Sequence, residues 1–406
     1  MTTKTVLIIA DSFPPGFAPR MGYLSKFLGE YGWKGIAVSP MYNYEKNNFD
    51  FLSGHIPHKG VFFSKQKKDR NFFHKALSII FPDMRIAWGG NKKIKSCVEE
   101  LMIKEHVDII LCSTCELFPL NIAYKIAKKY KIPWVADLRD IYEQYTMERA
   151  FLGKIYQKTG IQRRNFLLEK ASAIVTVSKK HVETLGSYGL KACPIYNGAD
   201  TDVFIPSQHS LDKFRIVYTG TLVTLGGRDV SPLFSVIQQL HINKEIDYRN
   251  CRIQFYSDTE SHTIVNKLKP SFCVSDFIDC FNYIPVVEVP KVLNEAAVLL
   301  LFLDNENKGI MTTKFFEYLA VKRPVLSIWS DKGEVEEIIN NFNAGIAART
   351  EADIKSFIKS KYDEWLKTKY TVCYSDCNDV GKFSRRYAAK QFTELFDIVL
   401  KYKNSV

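Results

Sequence analysis

Three short segments hold residues whose types and spacing could do chemistry. The first runs from Asp11 to Arg20, where a Pro- and Gly-rich loop leads into a helix whose first turn presents Arg20. Backbone amides at a helix start, together with a guanidinium, suit a phosphate or a sugar hydroxyl. An ordinary tight turn with a solvated arginine would also explain this segment.

The second segment, residues 134–140, places Asp137, Arg139 and Asp140 together at the end of an apolar run. Charges this close must either pair with one another or take part in a reaction. A structural ion pair and a catalytic group are equally compatible with the pattern.

The third segment holds Thr312, Thr313, Lys314 and Glu317. Either threonine could cap a helix, where free amides attract phosphate oxygens, and Lys314 adds positive charge. Glu317 falls on nearly the same helix face as Lys314, where it could accept hydrogen bonds from ribose hydroxyls. An i, i+3 surface salt bridge between these two side chains is the simpler alternative.

The elements that must position these segments are short apolar runs that alternate with helical segments. Such runs predict buried strands of parallel sheets that helices cover on both faces. The predicted strands are 6–10, 36–39, 108–112, 133–137, 173–177, 215–219, 252–256, 297–302 and 324–328. Because a polar stretch separates the fifth run from the sixth, we expect two doubly wound α/β domains, 1–200 and 201–378. Residues 379–406 predict a final amphipathic helix that packs back on the first domain.

Several classes of protein are disfavoured. There is no G-x-G-x-x-G or G-x-x-x-x-G-K-[ST] segment, which argues against a nicotinamide dehydrogenase and a P-loop NTPase. No apolar run reaches the length of a membrane-spanning helix, and no signal peptide is evident, so we expect a cytoplasmic protein. Nine thinly spread cysteines do not indicate a disulfide framework, and a zinc site built from Cys112, Cys115, Cys373 and Cys377 is disfavoured because Cys112 ends a buried strand. We therefore predict no metal site.

The positive charge is very unevenly distributed. Residues 1–200 carry 30 Lys and Arg against 18 Asp and Glu, whereas residues 201–406 carry 26 of each. Basic residues beside an aromatic, apolar stretch within 59–95 suit docking on an anionic membrane surface, although a solvated loop before a core helix is also possible. A nucleic-acid partner would fit the charge, but no zinc finger, RRM-type motif or basic helix supports it.

The chain resembles the retaining glycosyltransferases of family 4, whose GT-B fold consists of two Rossmann-like domains facing across a cleft. The resemblance covers nearly the whole chain and is carried by motifs that occur in the expected order. They lie at residues 11–15, 81–88, 132–140 (Ile-Pro-Trp-Val-Ala-Asp-Leu-Arg-Asp), 175–178, 196–200, 218–222 and 313–320.

The resemblance assigns roles to individual residues. It implies that Gly220, Thr221, Arg228, Lys314 and the amides of Thr312 and Thr313 approach the donor diphosphate. Glu317 would hold the donor ribose, and Tyr283 and Ile284 would read the base. Pro15, Gly16 and Arg20 would line the acceptor side, and Arg139 and Asp140 would join Arg228 and Lys314 as catalytic residues.

Two positions depart from the family pattern. Gly309 replaces the first of two glutamates that the family often carries, and Arg139 stands where many members have histidine. Contacts from those two side chains to the transferred sugar are therefore missing or supplied elsewhere.

The implied activity is metal-independent transfer of a sugar from a nucleotide-diphosphate donor, UDP- or GDP-linked, to a glycan or polyprenyl-diphosphate-linked acceptor. This places the protein in cell-surface polysaccharide synthesis at the inner face of the membrane. The nucleotide-sugar is a substrate, so no cofactor is expected. A GT-B nucleotide-sugar epimerase is the alternative; a phosphorylase would need a cofactor lysine that the sequence does not show.

Overall fold

The computed structural model describes residues 3–41, 49–62, 90–144, 151–222, 228–303, 311–371 and 380–403. The chain divides into two compact units. The first unit comprises Met1–Tyr196 with Arg385–Val406, and the second comprises Asn197–Ser384. The divisions thus fall after residues 196 and 384; the sequence analysis placed them after 200 and 378.

The first unit is built on a parallel sheet, which in the described residues has seven strands in the order β3-β2-β1-β4-β5-β6-β7. The strands are β1 (Lys4–Ala10), β2 (Trp33–Met41), β3 (His58–Phe62), β4 (Ile109–Thr114), β5 (Trp134–Leu138), β6 (Ala173–Thr176) and β7 (Ala192–Pro194). The helices are Pro19–Phe27, Gly90–Lys104, Leu117–Tyr130, Phe151–Leu168, Lys179–Thr184 and Arg385–Lys403.

Strand β1 explains why this sheet is buried on both faces. Leu7 and Ile9 belong to one apolar cluster, whereas Val6 and Ile8 belong to another on the opposite face, because successive strand residues point to opposite sides. The final helix, Arg385–Lys403, contributes Phe392 and Phe396 to the second of these clusters.

The second unit repeats the arrangement. Its described residues form a six-stranded parallel sheet in the order β10-β9-β8-β11-β12-β13. The strands are β8 (Phe214–Thr219), β9 (Cys251–Tyr256), β10 (Ile278–Phe281), β11 (Val298–Phe302), β12 (Val325–Ile328) and β13 (Gly345–Ala348). The helices are Ser231–Ile242, Thr259–Leu268, Val289–Asn294, Thr313–Ala320, Glu334–Asn341 and Glu351–Thr368.

In both sheets the order in which strands are added reverses beside the first strand. The strand order runs outward from β1 to β3 and then resumes on the other side with β4; β8 and β11 form the same junction in the second unit. Ligands of open parallel sheets bind beyond the carboxyl ends of the strands at such a junction. The predicted fold class, two parallel-sheet α/β domains, is confirmed.

The strands that the sequence analysis missed lie at or near the sheet edges. They are β3, β7, β10 and β13, each of which has three to five residues and at most two buried side chains. A short strand whose residues are mostly only partly buried lacks the continuous apolar run by which the central strands were found.

In the part of the chain that the structure describes, no helix has both the length and the apolar character that crossing a membrane requires.

Candidate functional site

In the second unit, Gly220 and Lys314 meet at the junction of β8 and β11. Gly220 follows β8 with φ +138°, and the Lys314 side chain lies directly over it. A Cβ on residue 220 would stand 1.8 Å from the Lys314 Nζ and 2.2 Å from its Cε. Only glycine therefore allows both this backbone conformation and the path of the lysine.

Arg228 is held beside the same strand end. Its guanidinium donates hydrogen bonds to the Tyr218 hydroxyl at 3.0 Å and to the Thr221 carbonyl at 2.5 Å. The Tyr218 hydroxyl in turn donates to the Thr221 carbonyl at 2.7 Å, and the Lys314 Nζ lies 5.3 Å from the centre of the Tyr218 ring. The buried tyrosine thus supports both cations from one side.

Among the described residues, no carboxylate forms an ion pair with Lys314 or Arg228. Burial, and then the neighbouring Arg228 charge, lower the pKa of Lys314 to about 8, although Glu317 and Asp258 act in the opposite direction. A bound anion would reverse this effect by stabilising the charged amine.

The helix Thr313–Ala320 begins at this position. Thr312 occupies its N-cap, yet the threonine side chain makes no capping hydrogen bond. Its hydroxyl oxygen is buried and has no hydrogen-bond partner among the described residues. Free amides and the positive end of the helix dipole lie at the same point, so the helix start can receive an anion.

A polar cluster that the sequence analysis did not identify surrounds Thr221. Asp258 caps the helix Thr259–Leu268 by accepting from the Ser261 amide at 2.7 Å, and it also accepts from the Tyr283 hydroxyl at 3.3 Å. The Ser261 hydroxyl accepts from the Leu222 amide at 2.8 Å. Burial opposes ionisation of Asp258, but hydrogen bonds from Ser261, Thr221 and Tyr283 lower its pKa to about 2.

Tyr283 is exposed and its hydroxyl points at that carboxylate. Burial of the hydroxyl and the nearby Asp258 charge raise the pKa of Tyr283 to about 12. The signal that could have revealed the cluster is the Asp258-Thr-Glu sequence directly after β9, a helix-capping pattern at a strand end. Ile284, the other predicted base contact, is half-buried next to Tyr283.

Arg20, which the sequence analysis assigned to the acceptor side, is buried and paired in the structure. Its guanidinium is 5% exposed and pairs with the fully buried Asp137 at 2.9 Å. The Asp137 carboxylate also accepts from the Ser113 hydroxyl at 2.7 Å. Gly16 is likewise buried in a turn closed by its own amide, and Pro15 is half-buried beside it.

Arg139 is also paired within the first unit. Its guanidinium forms a close ion pair with Asp11, whose carboxylate also accepts from the Cys115 amide at 2.8 Å. Asp140, by contrast, is exposed and accepts a hydrogen bond from the Cys115 thiol at 3.2 Å. Asp137 and Arg139 thus both take part in ion pairs, but their partners are Arg20 and Asp11 and not each other, as the sequence had left open.

A buried histidine near Asp140 was missed. His181 lies in the helix Lys179–Thr184, and neither of its ring nitrogens has a hydrogen-bond partner among the described residues. Burial lowers its pKa to about 4, against the effect of Asp140 and Glu143, so the ring is neutral at pH 7. No sequence pattern distinguished it from an ordinary surface histidine.

Some predicted features lie outside the described residues. They are Gly309, residues 63–89 of the predicted membrane-docking segment, and Cys373 with Cys377. Within the described ranges, no group of three or more His, Cys, Asp or Glu side chains could hold a metal ion.

No protein-family model matches the chain, and no curated protein matches its sequence. Solved structures do match over nearly its full length. HepE from Anabaena in complex with UDP is 12% identical, with 97% of this chain and 99% of that chain covered and a TM-score of 0.67. A glycosyltransferase from Rickettsia africae is 16% identical, with 99% and 100% covered and a TM-score of 0.67.

A third similar structure is a putative UDP-N-acetylglucosamine 2-epimerase from Listeria monocytogenes. It is 10% identical, with 97% of this chain and 95% of that chain covered and a TM-score of 0.57. At sequence identities this low, the matches indicate a shared fold and do not establish a shared activity. Together with the two parallel sheets and their strand orders, these matches show that the chain has the GT-B fold.

Proposed function

We propose that this chain is a glycosyltransferase whose second unit binds the diphosphate of a nucleotide-sugar. One observation carries the proposal: Lys314 and Arg228 lie at the carboxyl end of β8, next to the start of the helix that Thr312 begins, and no carboxylate among the described residues pairs with either cation. A buried site that holds positive charge without a counter-ion is suited to a ligand that supplies negative charge.

UDP-sugar is the donor we expect. HepE was solved in complexes with UDP and with UDP-glucose, and it shares the fold over nearly the whole chain. In this assignment Gly220, Thr221 and the amides of Thr312 and Thr313 approach the diphosphate. Glu317, one turn into the helix, accepts from the ribose hydroxyls, and Tyr283 with Ile284 lies beside the base.

The chemistry follows from the charge that leaves. When the bond between the sugar and the diphosphate breaks, negative charge grows on the phosphate oxygens. Lys314, Arg228 and the helix-start amides are fixed in advance around that position, so they stabilise the transition state more than the intact donor. We expect retention of the anomeric configuration without a protein nucleophile, and turnover without an added divalent cation.

We assign the acceptor, a glycan or a polyprenyl-diphosphate-linked sugar, to the first unit. Asp140 is the exposed carboxylate of the predicted set, and Arg139 is held next to it by Asp11. Pro15, at the helix entrance, is half-buried and belongs to the same strand-end region.

Product analysis tests the proposal. The protein is incubated with UDP-sugars, with and without lipid-linked acceptors and in the presence of EDTA, and the products are resolved by mass spectrometry and NMR. We expect acceptor-dependent release of UDP and a product with the donor's anomeric configuration. Inverted product would overturn the retaining assignment, and loss of turnover in EDTA would overturn metal independence.

The same experiment addresses the second candidate, a nucleotide-sugar epimerase, which the fold shared with the Listeria protein favours. Release of an epimerised sugar without any acceptor would support the epimerase. If no UDP-sugar is consumed and UDP does not bind, both candidates are wrong.

A further inference from the structure

An open groove lies in the first unit at the amino ends of the strands of its sheet. Its back wall is formed by the residues that begin β5, β6 and β7, so it faces away from Asp11, Arg139 and Asp140 at the carboxyl ends. One side is the end of the helix Leu117–Tyr130, and the other is the last two turns of the helix Arg385–Lys403. The groove has a volume of about 950 Å³.

The rim of the groove is basic. Lys128, Lys131, Lys170 and Lys191 line it, and all four are exposed. No Asp or Glu is among the described residues that line it. Glu169, just outside, lies 3.9 Å from the Lys170 amine, whereas Lys128 and Lys131 form no ion pair within the described ranges.

The floor and outer lip are apolar. Ile398 is 50% exposed and Tyr402 is 72% exposed, one helical turn apart on the same face of the final helix. Phe166, 44% exposed, lies just outside the groove: it packs edge-on against the lining residue Tyr124, and its ring centre is 5.8 Å from the Lys170 amine. Exposed apolar and aromatic side chains thus lie directly beside lysine amines. An exposed apolar patch with a charged rim is typical of an interaction surface.

We propose that this groove docks the first unit on a membrane by receiving an anionic phospholipid. The lysines are complementary to the lipid phosphates, and Ile398, Tyr402 and Phe166 enter the region between headgroups and acyl chains. Aromatic side chains with a polar end and long lysine stems are the residues suited to that interface. The inference does not depend on the proposed transfer reaction, because it concerns the amino ends of the strands.

Vesicle co-sedimentation of the full chain tests the charge. Wild type is compared with Lys128→Gln/Lys131→Gln and with a matched control, Lys154→Gln/Lys158→Gln, which removes two exposed lysines from the helix Phe151–Leu168 of the same unit. Vesicles contain phosphatidylcholine alone or phosphatidylcholine with phosphatidylglycerol. We expect binding only to the anionic vesicles and a loss of about 20-fold for the groove variant but not for the control. An equal or larger loss in the control would overturn the proposal, and so would equal binding to neutral vesicles.

A second pair of variants tests the apolar lip. Ile398→Asp is compared with Ile103→Asp, which alters an isoleucine 79% exposed on the same unit. We expect roughly a tenfold loss of vesicle binding for Ile398→Asp alone, with both melting temperatures unchanged. Light scattering without vesicles completes the experiment: self-association that Ile398→Asp abolishes, with vesicle binding unchanged, would mean that a second copy occupies the groove and would overturn the proposal.

Discussion

The two units share one strand order but treat the cations at the carboxyl edges of their sheets differently. In the first unit, Arg20 is paired with Asp137 and Arg139 with Asp11. In the second, Lys314 and Arg228 contact hydroxyls, a carbonyl and an aromatic ring, and no carboxylate pairs with them among the described residues. The first pair of cations is thus compensated by carboxylates within the fold, whereas the second pair is not compensated by any described carboxylate.

This difference shows why net charge alone is a poor guide to the proposed anion site. Residues 1–200 carry the whole formal excess of +12, whereas residues 201–406 are neutral. Yet Lys314 and Arg228, which are partly buried and paired with no carboxylate among the described residues, lie in the neutral part. The local absence of a counter-ion is a property of the fold, which no sum over the sequence reports.

The largest effect is expected when the buried Arg20–Asp137 ion pair of the first unit is broken. Arg20→Met leaves Asp137 buried without its cation, and we expect the free energy of unfolding of the first unit to fall by about 3–5 kcal/mol in urea denaturation. Arg20→Met/Asp137→Leu should recover much of the loss, because it removes both charges. If the single variant is as stable as wild type, the ion pair is not structural.

Replacing Lys314 in the second unit should change stability in the opposite direction. Lys314→Met removes a buried charge, so in the absence of nucleotide we expect the second unit to gain about 1–3 kcal/mol at pH 7. Because burial lowers the pKa of Lys314 to about 8 in the folded protein, the unfolded chain holds this proton more tightly. The gain should therefore be full below pH 8 and vanish as the pH approaches the ordinary lysine value. If Lys314→Met is less stable than wild type at pH 7, the claim that Lys314 carries an uncompensated charge is wrong.

Gly220→Ala displaces the same lysine without removing it. The new Cβ would occupy the position of the Lys314 Nζ, and we expect UDP affinity to fall by roughly tenfold in calorimetric titration. Gly345→Ala is the control, since Gly345 has nearly the same φ (+139°) but its Cβ would meet the Val325 backbone. It should lower stability and leave the UDP affinity of the folded fraction unchanged; equal affinity losses would mean that strain, not Lys314, is responsible.

The smallest effect is a pH dependence. If the diphosphate needs the charged amine, UDP affinity should be nearly constant below pH 8 and fall by about tenfold between pH 7 and pH 9. Lys314→Arg keeps its charge over this range and should give a flat profile. A wild-type profile that is equally flat would exclude Lys314 as the titrating group.

The sequence predicted the central strands and the principal members of the site because both depend on local signals. Continuous apolar runs marked β1, β8 and β11, and the glycine and lysine follow β8 and β11 at the positions that the motifs indicated. The roles assigned to these residues stay predictions.

Contacts between distant segments could not be predicted in the same way. Arg20 and Asp137 are 117 residues apart, and nothing at either position shows that they pair. Asp258 was missed because it reaches the site only when β8 and β9 lie side by side. Tyr218 lies in one of the motifs, but nothing in the sequence shows that its hydroxyl and ring contact Arg228 and Lys314. The sequence gives the type of each side chain, whereas availability to a ligand depends on which partners the fold brings to it.

Calorimetric titration of UDP into wild type, Lys314→Met and Lys267→Met at pH 7 tests the central claim most directly. Lys267 is an exposed lysine of the same unit and serves as the control. We predict UDP binding by wild type and by Lys267→Met, and a loss of about 100-fold or more for Lys314→Met with the fold intact. Equal UDP affinity in all three proteins would contradict the assignment of the unpaired cations to the donor diphosphate.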